Sequence, residues 1–136
     1  MRGVRPELRA LDGGLASSAP APAHIPKTAI AEWNRVTSDL KERGLLVSAC
    51  LGTVASYVIA TWQVAECVKA IEADGAFVKT KLGEPKPHPA HGLMNKANEI
   101  VARLAAELGL TPSSRSRKGL QGKEFKDASA PTGLDL

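Results

Sequence analysis

The chain has 136 residues and a formal net charge of +4 at pH 7. This length predicts one domain with a modest core, and because only five residues are aromatic the core must rest on Leu, Val, Ile and Ala. The excess positive charge lies in the terminal segments and in one loop, whereas residues 28–74 are slightly acidic. Basic segments on a nearly neutral body suit contact with a polyanion such as nucleic acid.

Residues 1–27 are predicted to form a disordered, Pro/Ala-rich leader. They contain Gly13-Gly14 and the string LASSAPAPAHIP but no periodic apolar pattern. They also lack the apolar stretch of a secretory signal peptide. The two cysteines, Cys50 and Cys67, lie about 25 Å apart along one predicted helix, so they can neither bridge each other nor share a metal. These features favour a reducing, cytoplasmic setting.

The first helix is predicted from Thr28, which acts as its N-cap, to about Arg43, and Gly44 ends it. One face carries the apolar stripe, which consists of Ile30, Trp33, Thr37 and Leu40. A tryptophan can stack on a nucleobase, but the place of Trp33 on this stripe favours a core position.

Residues 44–65 contain no Asp, Glu, Lys or Arg and predict a long central helix from Ser48, its N-cap, to about Asp74, with Gly75 at its end. A helix that is apolar over most of its circumference is packed on several sides or lies in a membrane. Because Ser and Thr residues are spread over several faces, we favour a soluble core or a subunit interface over a bilayer span. The predicted interface residues are Leu51, Val54, Val58 and Trp62.

Residues 75–87 predict a short, irregular β-hairpin, since β-prone residues are followed by a Gly turn and two prolines. Lys79, Lys81 and Lys86 project from it. Two interpretations stay open at this point, a solvated tip and a loop that contacts phosphates.

A third helix is predicted from Pro89 to Leu108 and is ended by Gly109. Thr111 and Pro112 then start a short helix that runs to about residue 118. That helix carries three basic residues that cannot all point into a core, namely Arg115, Arg117 and Lys118. Residues 119–136 predict a disordered polar tail.

No motif for catalysis is visible. The sequence has no Gly-x4-Gly-Lys phosphate-binding loop, no paired Cys motif and no supported Ser–His–Asp grouping. His88 and His91 with Glu84 lack a further strong metal ligand at a convincing spacing, so surface and capping roles are favoured. We therefore expect a protein that is not an enzyme and that has no cofactor and no metal site.

The elements together predict a mainly all-α chain with three principal helices, a short C-terminal helix and a small hairpin between the second and third helices. Residues 28–118 would form the helical core for oligomerisation and DNA binding, between the disordered segments 1–27 and 119–136. The wide apolar stripe on so short a chain suggests that oligomerisation completes the core.

The order and spacing of several segments resemble one family. These segments are AEWNRVTSDLKERGLL, the long uncharged helix, the PKPHPA helix start and the string AAELGLTPSSRSR. In that order they resemble the small terminase subunit of tailed bacteriophages, over about residues 29–118.

The resemblance implies a non-catalytic protein of the viral genome-packaging motor, in the cytoplasm of the bacterial host. Such a protein forms a homo-oligomeric ring, binds the packaging site on double-stranded phage DNA and stimulates the large subunit, which holds the ATPase and the nuclease. The basic residues named above are the expected DNA contacts. Two other classes stay open: a small helical adaptor or scaffold without nucleic-acid binding, and a membrane-associated protein using residues 44–65.

Overall fold

The computed structural model describes residues 19–117, which form four α-helices and one two-stranded antiparallel sheet. The helices are α1 (Ile30–Glu42), α2 (Leu51–Asp74), α3 (Ala90–Glu107) and α4 (Pro112–Arg115). The strands β1 (Phe77–Lys79) and β2 (Pro85–Pro87) lie between α2 and α3. The predicted mainly helical chain with a hairpin between the second and third helices is therefore confirmed.

The helices end at the predicted glycines, but two of the predicted N-caps are absent. Gly44, Gly75 and Gly109 have φ angles of 70°, 89° and 66°, the left-handed region in which a helix commonly ends. The side-chain caps predicted for Thr28 and Ser48 are absent, because each residue lies in a short 3₁₀ turn ahead of its helix (Lys27–Ala29 and Ser48–Cys50). In these two cases the backbone of the turn leads into the helix without a capping side chain.

Helix α1 packs through a tryptophan near its start. Trp33 is fully buried, and its Nε1–H donates a 2.9 Å hydrogen bond to the carbonyl oxygen of Ala19. Val36 lies on the buried face, whereas Ile30, predicted to be there, is 37% exposed at its edge. The core position predicted for Trp33 is thus confirmed.

The segment just before α1 differs from the predicted leader. Ala19 and Ile25 are buried against the core, at 8% and 5% exposure, so residues 19–26 are part of the packed structure. Their apolar side chains are spaced too irregularly for a periodicity argument to detect. The remainder of the leader and the tail predicted at 119–136 lie outside the described residues.

Helices α2 and α3 run in opposite directions and form the most extensive helix–helix contact. Residues from the start of α2 and the end of α3, such as Val58 and Leu104, share one apolar cluster with α1. The other ends meet where His88, just before α3, contacts Asp74 at the end of α2. We call the cluster end of the molecule the core end and residues 63–99 the arm.

The core end and the arm bury different kinds of side chain. The core end encloses large residues, including Trp33, Leu46 and Val54. In the arm the buried residues are Cys67, Ala90 and Ala97, all of them small. Small side chains let two helices approach closely, but they remove little apolar surface from water. None of the helices within residues 19–117 has the length and hydropathy that a bilayer span requires.

Candidate nucleic-acid interface

The hairpin at the end of the arm has a defined turn. Thr80 N–H donates to Glu84 O at 2.8 Å, and Gly83 N–H donates to Thr80 O at 2.9 Å. Gly83 has φ 82°, the left-handed position of a three-residue hairpin loop. The Oγ1 of Thr80 also accepts the N–H of Glu84 at 3.2 Å. These bonds fix Lys81 and Leu82 at the outermost point of the loop.

Two histidines fasten the base of the hairpin to the arm. His88 Nε2 lies 2.9 Å from an Asp74 carboxylate oxygen, while His88 Nδ1 accepts the N–H of Ala90 at 3.0 Å. His91 Nε2 lies 3.0 Å from the carbonyl oxygen of Ala76, which also accepts the N–H of His88. The position of the hairpin relative to α2 and α3 is therefore set by side-chain contacts as well as by the chain itself.

The three hairpin lysines are exposed and surround the tip. Val78 pairs with Lys86 and Lys79 pairs with Pro85, so Lys79 and Lys86 lie on opposite faces of the two-stranded ribbon. Lys81 lies in the loop between them. Within residues 19–117 none of these three ammonium groups forms an ion pair. They present positive charge that a polyanion can approach without displacing an internal partner.

Arg115, the first of the other predicted DNA contacts, is bound within the fold. Its guanidinium donates to Asp39 Oδ1 at 2.8 Å and to the carbonyl oxygen of Gly109 at 2.9 Å. The second oxygen of Asp39 accepts from Arg43, which also donates to Leu108 O at 2.8 Å. We call Asp39, Arg43 and Arg115 the Asp39 cluster. It joins α1 to the end of α3 and to α4.

The predicted DNA contacts fall into two separate groups. The hairpin precedes α3 and α4 follows it, so the 18 residues of α3 separate them by about 27 Å. Arg117 is exposed near the core end, and Lys118 lies outside the described residues. The six residues are therefore not brought together in one site, and the hairpin lysines form the better-defined group.

Most of the chain matches a known protein family. Residues 29–124 match the family described as phage terminase, small subunit, which is well over half of the chain. The chain belongs to this family. It therefore has a role in phage DNA packaging, and the resemblance seen in the sequence is confirmed. No curated protein and no solved structure matches it significantly.

The string LGLTPSSR of this small subunit forms the end of α3 and the start of α4. Thr111 Oγ1 accepts the N–H of Ser114 at 3.2 Å, and Ser114 Oγ lies 3.2 Å from Thr111 N, which closes the predicted cap of α4 from both sides. Gly109 ends α3, and Arg115 returns to Asp39. The string thus ends α3, starts α4 and joins α4 to α1 through Arg115.

The predicted interface residues of this small subunit divide into two kinds. Val54 and Val58 are fully buried among the side chains of their own chain, so they cannot meet another subunit in this fold. Leu51 and Trp62 are half-buried at the edge of the core cluster and remain accessible. The apolar stripe of α2 was wide enough for a core or for a subunit interface, and it is used mainly for the core of the single chain.

Trp62 also lines an open groove of about 230 Å³ between the start of α1 and the middle of α2. Glu32 and Glu66 are among its lining residues, and each is paired with a basic residue on its own helix. Hydrogen bonds from Arg35 to Glu32 raise the pKa of that arginine above its ordinary value. No three acidic, His or Cys side chains among residues 19–117 are placed to hold a metal ion.

Sequence reasoning missed the residues that hold the site in place. Asp39 carried a signal, because an acidic residue four positions before Arg43 predicts a helical ion pair, although not its link to Arg115. The capping role expected for His88 is present, because its Nδ1 accepts the N–H of Ala90. The contacts of His88 with Asp74 and of His91 with the carbonyl oxygen of Ala76 lie across the hairpin and were not predicted. For Leu82 the sequence predicted only a place in the turn, not its exposure.

Proposed function

We propose that this chain is the non-catalytic subunit that recognises phage DNA in the packaging motor, working in the host cytoplasm. It binds double-stranded DNA at the packaging site and stimulates the ATPase and nuclease of the large subunit. Membership of the small-subunit family supports this role. The observation that carries the DNA-binding part is the hairpin, which holds three exposed lysines without internal ion pairs on an anchored loop.

Lysines act on DNA chiefly through its phosphates. Each neutralised phosphate releases condensed counterions, so the affinity falls as the salt concentration rises. Phosphate contacts position a protein on the duplex without reading bases. The hairpin therefore supplies affinity and orientation, and Arg117 and Lys118 add further contacts from the other end of α3.

The first experiment measures how affinity for a duplex depends on salt. The full chain is titrated onto fluorescently labelled DNA at several salt concentrations, beside the triple variant Lys79→Ala, Lys81→Ala and Lys86→Ala. The matched control replaces three exposed lysines outside the hairpin, Lys27, Lys41 and Lys96, by Ala. Both variants lose three positive charges, so a difference in their DNA affinity shows that the position of the lysines matters.

We expect the hairpin variant to reduce the slope of log K against log[salt] by about 2 to 3, because each phosphate contact contributes about 0.9. The control should change the slope by less than about 1. Equal slopes for the two variants would remove the hairpin from the DNA contact. No salt-dependent binding by the unaltered chain would favour the helical adaptor alternative.

We also propose that the chain acts as a homo-oligomeric ring. The accessible members of the predicted interface, Leu51 and Trp62, together with exposed Val68 support self-association, since half-buried apolar residues gain from further burial. Light scattering tests this directly. A single species well above a tetramer is expected, and a monomer at working concentrations would contradict the ring.

A further inference from the structure

The most exposed large apolar side chain in residues 19–117 is at the tip of the hairpin. Leu82 is 88% exposed, more than Phe77 at 67% or Leu93 at 65%. A leucine in this position contributes nothing to the core of the chain. Its place in a loop fixed by three hydrogen bonds means that the exposure is held by the fold.

The charges around Leu82 are mostly positive. Lys81 is next to it in the loop, and Lys79 and Lys86 lie behind it on opposite faces of the ribbon, while Glu84 is the acidic residue that closes the loop. The tip is thus an apolar point with one cation on each side. The minor groove of a DNA duplex has the matching arrangement, since a sugar-phosphate strand runs along each of its edges.

We propose that Leu82 inserts into the minor groove of DNA and partly separates two stacked base pairs, while Lys79 and Lys86 each contact one of the two strands. This inference rests on the proposed DNA binding and specifies its mode. Apolar wedges of this kind kink the duplex toward the major groove. Pyrimidine–purine steps such as TA unstack most easily, so they become the preferred sites.

The insertion gives the protein a source of sequence preference. The hairpin lysines contact phosphates, which carry no sequence information directly. A wedge whose cost depends on the base step discriminates between sites through the stiffness of the DNA. Leu82 is then the residue that converts phosphate binding into selection among steps.

The test uses the full chain and a duplex of about 30 base pairs with donor and acceptor dyes at its ends. The adenines of several TA steps are replaced by 2-aminopurine, whose fluorescence rises when it is unstacked. Energy transfer between the ends reports bending, and 2-aminopurine reports insertion. The variants are Leu82→Ala and, as the matched control, Leu93→Ala, which removes another exposed leucine from the first part of α3.

The unaltered chain should raise both signals, and Leu93→Ala should behave in the same way. Leu82→Ala should remove most of both increases and lower the affinity about threefold to tenfold, with the salt slope unchanged. Leu82→Met should restore both signals, because methionine also serves as a wedge.

Three results would overturn the wedge. Binding with the expected lysine-dependent slope but without either signal would leave phosphate contact intact and remove insertion alone. Equal signals from Leu82→Ala and the unaltered chain would assign the bending to another residue. If Leu82→Ala instead weakened binding to phosphatidylserine vesicles and left duplex binding unchanged, the tip would be a lipid contact. By contrast, no duplex binding at any salt concentration would contradict the proposed function itself.

Discussion

The core end and the arm of this small terminase subunit are built on the same pair of helices but are stabilised differently. At the core end, α2 and α3 close around α1 and bury Trp33, Val36 and Leu40. In the arm α2 packs mainly against α3, and the buried residues there are small. Apolar burial therefore concentrates stability at one end and leaves the other end with surface that is free for contacts.

The same contrast appears in the charged residues. At the core end, arginines are joined to Asp39 and to the carbonyl oxygens that end α3. At the hairpin, lysines are exposed, and the described part of the chain gives them no ion pair. Basic residues thus hold the fold together at one end and remain available for a polyanion at the other.

The largest expected effect is at the centre of the core end. Trp33→Ala should lower the free energy of unfolding by about 3 to 5 kcal/mol, since it removes a fully buried ring and a hydrogen bond to Ala19. Leu93→Ala in the arm should change it by less than about 0.5 kcal/mol. Urea unfolding followed by circular dichroism measures both. Similar losses for the two variants would contradict the contrast between the two ends.

The Asp39 cluster should give the next largest effect. Asp39→Ala removes the carboxylate that Arg43 and Arg115 share, and the Arg43 side chain is only 6% exposed. We expect a loss of about 2 to 3 kcal/mol, because the charge-assisted hydrogen bonds that both arginines donate to this carboxylate are lost. Glu42→Ala, at an exposed position on the same helix, is the control and should be nearly neutral. Thermal unfolding distinguishes the two variants.

The glycine near the start of α2 and the glycine that follows its end should respond with opposite signs. Gly75→Ala should cost about 1 to 2 kcal/mol, because its φ of 89° disfavours any residue with a Cβ. Gly52→Ala should stabilise by about 0.5 to 1 kcal/mol, because that glycine lies in the helix with open space around it. Calorimetry of both variants compares the end of the arm with the start of the helix. A loss of stability for Gly52→Ala would contradict the open space around this position.

The smallest stability effect separates the two arginines of the C-terminal string. Arg115→Ala should cost about 1 kcal/mol, a value that allows for the 39% exposure of its side chain. Arg117→Ala should leave stability unchanged and reduce the salt slope of DNA binding by less than about 1. Unfolding and DNA-binding measurements on both variants test whether Arg115 acts on stability and Arg117 on binding. A stability-neutral Arg115→Ala would mean that its bond to Asp39 contributes nothing.

The sequence predicted most of the features that depend on a few neighbouring residues, although the local caps at Thr28 and Ser48 are absent. The glycines that end three helices, the Thr111 cap and the hairpin are local, so their residue types and spacing were sufficient. The placement of Arg115 was not predictable in this way, because its partner Asp39 lies 76 positions earlier. The burial of Val54 and Val58 likewise depends on how α1 and α3 close over α2.

The packing of residues 19–26 also depends on contacts that the sequence pattern did not predict. Their composition predicted disorder, yet the carbonyl of Ala19 satisfies the ring nitrogen of Trp33. A buried indole N–H requires an acceptor, and the sequence does not say where that acceptor is. Local sequence patterns therefore do not predict hydrogen bonds between residues that are far apart in the chain, such as this one.

The most direct test of the account is a lysine footprint of the DNA complex. The full chain is acetylated at low reagent concentration with and without a saturating duplex, and each lysine is quantified by mass spectrometry. The account predicts strong protection at Lys79, Lys81 and Lys86 and little change at exposed Lys27, Lys41 and Lys96. Protection at the latter three, or at Lys118 alone with the hairpin unchanged, would contradict the assignment of the hairpin as the DNA contact.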